Sequence, residues 1–160
     1  MTRRSRARET ALQILYQDDL NPGLDPSAAG QFVASHSGES EPGRLAERLV
    51  QGVLEHRSAL DSRLGDAAEH WSLERMAAID RNVLRLGAYE LLYTETPDRV
   101  AVDEAIELAK KYGSGQSAAF VNGILDRLMH AADRAPAPPQ QSAEAPPENA
   151  QSMPTDRPPG

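Results

Sequence analysis

The sequence predicts an all-α protein, and three observations lead to this prediction. The composition is 39% hydrophobic but only 4% aromatic, so the core must consist mainly of Leu, Ile, Val and Ala, which suits packed helices better than a sheet sandwich. Apolar residues recur at helical spacing along most of the chain, whereas no stretch alternates with period two over the length of a strand. Prolines and glycines separate the helical stretches. We therefore expect a compact bundle of about six or seven helices.

The first predicted helix runs from about Arg6 to Leu20 and ends at Asn21-Pro22-Gly23, because proline cannot continue a helix and glycine favours its end. One face of this helix carries a stripe of apolar residues at helical spacing. The stripe consists of Ala7, Ala11, Ile14 and Leu15. A short helix is predicted from Pro26 to Phe32, and a loop from Ser35 to Gly43.

Two long helices are predicted next. One spans about Arg44 to Leu64 and contains Gly52, which is interpreted as allowing a close helix contact. The other spans about Ser72 to Tyr93, with Ser72 near its expected cap. It is apolar on two sides, which is typical of a helix at the centre of a bundle.

Two further helices are predicted before residue 133. The first covers about Val100 to Tyr112, with Gly113 as a left-handed terminator. After a polar turn, Ser117 is expected to cap the last helix. Asn122-Gly123 lies within that helix and is interpreted as a packing feature, since glycine permits close approach of another helix.

Residues 133–160 differ in kind from the rest of the chain. They contain eight of the twelve prolines and no Leu, Ile, Val or Phe. Such a segment buries too little apolar surface to offset its ordering entropy. We predict a disordered tail, partly in polyproline II conformation, and a helical domain over residues 1–132. A role as a PxxP-type ligand and a plain solvated tail are both open.

The net charge of −7 is distributed unevenly. Residues 1–16 hold four arginines against one glutamate, a net charge of +3, which leaves −10 for the remainder. A concentrated basic end binds nucleic acid because each neutralised phosphate releases counterions. Alternatively, the cluster simply solubilises the start of a helix, although positive charge there opposes the helix dipole.

Composition and motifs also exclude several classes. The absence of cysteine excludes disulfides and thiolate metal sites. No apolar run approaches the ~20 residues of a membrane span, and the N-terminus lacks the apolar stretch of a secretory signal. We therefore expect a soluble cytoplasmic protein.

No enzyme motif is present. There is no glycine-rich phosphate loop and no nucleophile elbow. Asp103, Glu104 and Glu107 are expected on a solvated helix face, with Glu107 reaching Lys111 four residues on. The histidines lack ligand spacing and are expected at the surface; they are His36, His56, His70 and His130. We expect no metal, no cofactor and no catalysis.

Four segments, in this order, resemble the NusB family of bacterial transcription antitermination factors. They are Arg3–Gln17, Ile79–Leu91, Val102–Gly113 and Phe120–Asp126. The resemblance covers about residues 3–131 and excludes the tail. It implies two small subdomains of three or four helices that share the first helix. It also implies binding of a single-stranded boxA-type leader RNA of ribosomal RNA operons, together with the ribosomal protein that acts as NusE. Other Nus factors and RNA polymerase would be indirect partners.

The resemblance also implies site residues. The basic segment that contacts RNA in the family corresponds to Arg3, Arg4, Arg6 and Arg8. The turn that approaches RNA corresponds to Gln116 and Ser117; the family often has an acidic residue at Gln116, and a neutral side chain there should repel phosphate less. Phe120 either stacks on a base or packs in the core.

Two positions match the surface that faces NusE. Tyr16 lies either at this NusE-facing surface or in the core. Asp80 either pairs with the basic partner or is an ordinary solvated charge.

The alternative function is a non-enzymatic protein-interaction module that binds no RNA. An RNA methyltransferase family carries a similar N-terminal domain, but the absence of a cofactor loop and of cysteine disfavours that interpretation.

Overall fold

The computed structural model describes residues 2–23, 25 and 41–134, and within these ranges the protein is helical and has no strand. The all-α prediction is therefore confirmed. The elements in chain order are α1 (Arg3–Leu20), α2 (Glu41–Glu55), α3 (Arg57–Ala68), a 3₁₀ turn (Leu73–Arg75), α4 (Ala78–Tyr93), α5 (Asp98–Tyr112) and α6 (Ser117–Arg134). None of these helices is both long and apolar enough to cross a membrane.

Helix α4 is the centre of the bundle. It contacts each of the other five α-helices, and all residues from Asn82 to Ala88 are buried, as expected for a helix with two apolar sides. One group of helices consists of α1, α2 and α4, and the other of α3, α4, α5 and α6. The two predicted helix groups are present, but the helix they share is α4 rather than α1.

The predicted helix from Arg44 to Leu64 is divided in two. His56 adopts φ −108° and ψ 15° and separates α2 from α3. The backbone hydrogen bonds from His56 N to Gly52 O (3.0 Å) and from Leu60 N to His56 O (2.8 Å) persist across this point. The division is therefore a local bend, which explains why the apolar periodicity continues through it.

The helix predicted from Ser72 also begins later than expected. The 3₁₀ turn follows Ser72, whose side chain makes no capping hydrogen bond, and α4 starts only at Ala78. Met76 is extended, with φ −72° and ψ 152°, so the chain leaves helical geometry between the two elements.

Other boundaries differ by a few residues. Helix α1 starts at Arg3 instead of Arg6, and α5 starts at Asp98 instead of Val100. Helix α6 continues to Arg134, two residues past the predicted domain boundary. The predicted short helix from Pro26 to Phe32, most of the predicted loop before Gly43 and the tail from residue 135 onward lie outside the described residues.

Candidate nucleic-acid interface

Thr2 caps the arginine-rich start of α1. Its Oγ1 accepts a hydrogen bond from the backbone N of Ser5 at 2.9 Å, which satisfies one of the free N–H groups of the first turn. No acidic residue lies in that turn. The side chains of Arg3, Arg4 and Arg6 are exposed, so three positive charges project from the first turn and a half of the helix.

Arg8, unlike these three arginines, is buried. Its side chain is only 3% exposed and donates two hydrogen bonds to the carboxylate of Glu90, at 2.7 and 2.8 Å. Thr96 donates a third hydrogen bond to this carboxylate at 3.1 Å, and Glu104 lies 3.7 Å from the guanidinium. Burial lowers the pKa of Arg8, but the hydrogen bond and charges of Glu90 and Glu104 outweigh it, so the pKa is raised.

This arrangement removes Arg8 from the residues that we expect to contact RNA. A fully paired, buried guanidinium ties α1 to α4 and to the segment between α4 and α5 instead. The sequence contains a signal for this, because Arg8 stands on the same helix stripe as Leu12 and Leu15, both of which are buried.

Side chains bridge helices α1 and α5 at two points, in the same order along both helices. Ser5 Oγ donates to Glu104 at 3.0 Å. One turn later on α1 and two turns later on α5, Lys111 Nζ donates to Glu9 at 2.7 Å. The predicted pair of Glu107 with Lys111 is wrong, since Lys110 is the lysine near Glu107, at 3.7 Å. The hydrogen bond from Lys111 to Glu9 raises the pKa of Lys111.

Ser5, in the arginine-rich turn, reaches Glu104 in the middle of α5, and the α5–α6 turn follows the end of that helix at Tyr112. The stretch from Glu104 to Tyr112 spans about 12 Å. The two predicted groups of RNA-contacting residues are therefore separated along the bridged helices α1 and α5 rather than clustered at one point.

The α5–α6 turn holds Ser117 inside and Gln116 outside. Ser117 is 2% exposed, and its Oγ accepts a hydrogen bond from the backbone N of Ser114 at 2.9 Å. It is the first residue of α6 rather than its cap. Gln116 occupies the capping position, because its carbonyl accepts from Phe120 N at 3.1 Å. The Gln116 side chain is exposed, and Ser117 shapes the turn.

Gly113 ends α5 without the predicted left-handed conformation. Its φ of −95° and ψ of −164° are extended backbone. Glycine is needed there for space, since a Cβ would lie 2.6 Å from the Ser117 Cβ and 2.8 Å from the Ala109 carbonyl oxygen.

The prediction that Asn122-Gly123 is a packing feature of α6 is wrong. Asn122 is exposed, and a Cβ at Gly123 would meet only the end of the Arg127 side chain, at 3.9 Å.

Phe120 is half-buried and packs against the core. Its ring makes an edge contact with Trp71, with ring centroids 5.6 Å apart. Trp71 is 53% exposed, so Phe120 lies between the core and a tryptophan at the surface. Phe120 therefore packs against the core, as one of the two predicted alternatives has it, and is not fully buried.

The two predicted partner-facing residues lie at the opposite end of α1 from the arginines. Tyr16 is half-buried. Asp80 is in the first turn of α4, where the helix dipole favours a negative charge. Its Oδ1 is buried and accepts no hydrogen bond within the described part of the chain, so Asp80 is not the simple solvated charge that the sequence allowed.

A hydrogen-bonded network next to Asp80 fixes this end. Asp19 accepts hydrogen bonds from Arg81 Nε and from Asn82 Nδ2, both at 2.8 Å. Burial raises the pKa of Asp19, but hydrogen bonds from Arg81 and Asn82 and the charges of Arg81 and Arg85 outweigh it, so the pKa is lowered. Nothing in the local sequence pattern indicates this contact, because its members are more than sixty residues apart.

Within residues 2–23, 25 and 41–134, no three His, Asp or Glu side chains are grouped so that they could hold a metal ion. The prediction that the histidines lie at the surface is wrong for His56, which is half-buried and stacks on Tyr93 with ring centroids 4.1 Å apart. His70 and His130 are exposed, and His36 lies outside the described residues.

The fold is shared by solved structures of antitermination factors. The structure of NusB from T. maritima matches with a TM-score of 0.71 and 37% identity, over 81% of this chain and 92% of that one. A crystal structure of antitermination factors NusB and NusE in complex with dsRNA matches with a TM-score of 0.71 and 29% identity, over 82% of this chain and 98% of that one.

Sequence comparison leads to the same class. The NusB family profile matches residues 5–130. The transcription antitermination protein NusB of Anaeromyxobacter dehalogenans strain 2CP-1 is 50% identical over 128 residues, which are 79% of this chain and 90% of that protein. That of Sorangium cellulosum strain So ce56 is 46% identical over 129 residues, 80% and 92% of the two chains. The chain belongs to the NusB family, as the four sequence segments predicted.

Proposed function

We propose that this chain is a transcription antitermination factor that binds a boxA-type single-stranded RNA of ribosomal RNA operons together with a NusE-type ribosomal protein. It acts by binding and not by catalysis. The observation that carries the proposal is the exposed arginine group at the start of α1, formed by Arg3, Arg4 and Arg6. The chain belongs to a family whose relatives are named antitermination proteins and include a solved complex with NusE and dsRNA.

The RNA is proposed to follow the α1–α5 face. The three exposed arginines neutralise phosphates at one end, and Gln116 contacts the strand at the other. Arginine supplies both phosphate charge and a planar group that stacks on unpaired bases. Ser117 and Arg8 position this surface from within, and Phe120 offers its accessible edge.

The NusE-type partner is proposed to bind at the other end of α1 and α4. Asp80 is half-buried in the first turn of α4, and it supplies the negative charge with which a basic partner would pair. Tyr16 lies three residues before Asp19 on α1, so it belongs to the same end of the molecule. RNA and partner thus occupy separate ends, and other Nus factors and RNA polymerase would join through this complex.

Fluorescence anisotropy of a labelled boxA-like strand tests the proposal. The wild-type protein should bind it more tightly than a scrambled strand or a duplex, and more tightly still with the NusE-type partner. Replacing Arg3, Arg4 and Arg6 together by alanine should weaken binding and reduce the salt slope by about two, since each phosphate contact on a single strand contributes about 0.7. Arg63→Ala, on α3, is the matched control.

Two results would count against the proposal. If a well-folded helical protein binds no RNA under any condition, with or without the partner, the chain is a protein-only interaction module. If the triple variant binds as the wild type does, the arginine group is not the RNA contact.

A further inference from the structure

A second basic and aromatic surface lies beside the start of α1, where α2 crosses the C-terminal half of α4. We call it the α2–α4 ledge and define it by Arg4, Arg48, His56, Tyr89 and Tyr93. Arg4, Arg48 and Tyr89 line a common hollow of about 390 Å³. Val100, an apolar residue with 41% of its surface exposed, lines the same hollow.

The ledge is built around Gly52. Arg48 and Gly52 are four residues apart on α2 and share one face, and His56 follows four residues later at the bend, where its N still donates to Gly52 O. The missing side chain of Gly52 makes room for the Tyr89 ring, which a Cβ at this position would overlap. Arg48 thus stands one turn before the tyrosine and His56 one turn after it.

Three rings continue the surface beyond Gly52. His56 and Tyr93 stack with centroids 4.1 Å apart and an interplanar angle of 19°. Tyr89 and Tyr93 are 5.7 Å apart at 21°, so the three rings are nearly parallel. Each of them is half-buried, which fixes its orientation and leaves part of it accessible.

The charge of the hollow favours an anion. Arg4 and Arg48 are exposed, and Glu90, which also lines the hollow, is already paired with the buried Arg8. Among the described lining residues the remaining carboxylate is Glu95, so these residues carry one net positive charge, and Glu55 acts from outside the lining. Burial and the charge of Glu55 raise the pKa of Tyr89, while Arg48 acts in the opposite direction; the phenol is neutral at physiological pH and does not repel a phosphate.

We propose that the α2–α4 ledge binds unpaired nucleotides that flank the boxA-type element, with Arg4 and Arg48 on the phosphates and bases against the aromatic rings. The proposal rests on the proposed function, because Arg4 belongs to both surfaces and joins them into one path. Arginines beside aromatic rings are the combination that binds single strands with little sequence preference, which suits flanking nucleotides of variable sequence.

The test compares the boxA-like strand alone with the same strand extended, at one end or the other, by about eight uridines. Wild-type protein should bind one of the extended strands about fivefold more tightly than the short strand. Arg48→Ala should abolish this gain and reduce the salt slope for that strand by about 0.7, while leaving the short strand unaffected. Arg48→Lys should retain most of the slope, and Arg63→Ala should change neither strand.

The outcomes separate this proposal from the proposed function. If the short strand binds but neither extension increases the affinity, the ledge does not bind RNA and the boxA proposal stands. Equal weakening of both strands by Arg48→Ala would place Arg48 on the boxA-type element itself and overturn the assignment of the ledge to flanking nucleotides. Weaker binding of the NusE-type partner, with RNA binding unchanged, would make the ledge a protein contact and overturn the proposal as well. If the protein does not bind the short boxA-like strand, both the proposed function and the RNA-binding role of the ledge are overturned.

Discussion

The guanidinium of Arg8 donates two hydrogen bonds to the carboxylate of Glu90 inside the bundle, at 2.7 and 2.8 Å. These residues are 82 positions apart, and their contact joins α1 to the C-terminal end of α4. The exposed Arg3, Arg4 and Arg6 are held on the same helix. A buried ion pair of this kind thus sets where the basic surface lies, although it does not belong to that surface.

Arg8→Met should destabilise the protein by about 3 kcal/mol, because it leaves the Glu90 carboxylate buried without its main partner. Urea unfolding followed by circular dichroism measures this. The double variant Arg8→Met with Glu90→Leu should regain at least half of the loss, since both charges are then absent. A folded Arg8→Met protein whose RNA salt slope falls as much as that of Arg6→Ala would contradict the internal role of Arg8.

Two glycine substitutions should change stability in opposite directions. Gly52→Ala should destabilise by about 1–3 kcal/mol, since its Cβ would overlap the Tyr89 ring. Gly65→Ala, inside α3, meets no atom within 4 Å and should stabilise by about 0.5–1 kcal/mol through its better helix propensity. Thermal or urea unfolding of both variants provides the comparison. Equal effects of the two substitutions would show that Tyr89 does not lie against Gly52.

Asp19→Asn should reduce stability in a pH-dependent manner. The lowered pKa of Asp19 means that its contribution is fully present above the ordinary aspartate pKa of about 3.9 and is lost as the pH falls through the lower folded value. The variant should therefore be less stable by about 2 kcal/mol near neutral pH, with a difference that shrinks below about pH 4. Unfolding curves at several pH values measure it, and the exposed Asp103→Asn is the control. A difference that is constant with pH would refute the assignment.

Gln116→Asp should weaken RNA binding without weakening the fold. The exposed side chain would bring a negative charge to the proposed RNA path, and the affinity should fall about threefold at low salt and less at high salt. Aspartate at the capping position of α6 should leave stability unchanged or slightly higher. Anisotropy titrations at two salt concentrations, with a thermal melt of each protein, separate the effects. An unchanged affinity at low salt would place Gln116 away from the RNA.

The sequence predicted the helices wherever an apolar stripe and a stop signal coincided. The end of α1 at Leu20 and the end of α5 at Tyr112 follow from the proline and glycine residues after them. The bend at His56 was not predictable in this way, because the apolar periodicity continues through it; at this point the His56 ring stacks on Tyr93 from another helix. Likewise, no local pattern distinguishes the 3₁₀ turn before α4 from a continuous helix.

The candidate site was predicted in part for a similar reason. The positions of Arg3, Arg4 and Gln116 at the surface follow from their local sequence. The internal role of Arg8 depends on Glu90, which tertiary folding brings near from 82 positions away. That of Ser117 depends on the geometry of the α5–α6 turn, in which Ser114 N donates to its Oγ and Gly113 approaches closely. The family resemblance implied RNA contact for both residues, whereas both side chains are buried and stabilise the surface from within.

The shared position of α4 has a consequence for how the domain unfolds. Neither helix group has a core of its own, because both bury apolar side chains against this one helix. Opening either group exposes a side of α4 to water, so the loss of one removes much of the stability of the other. The helical region should therefore melt in one cooperative transition, and a fragment that ends before Ala78 should not fold by itself.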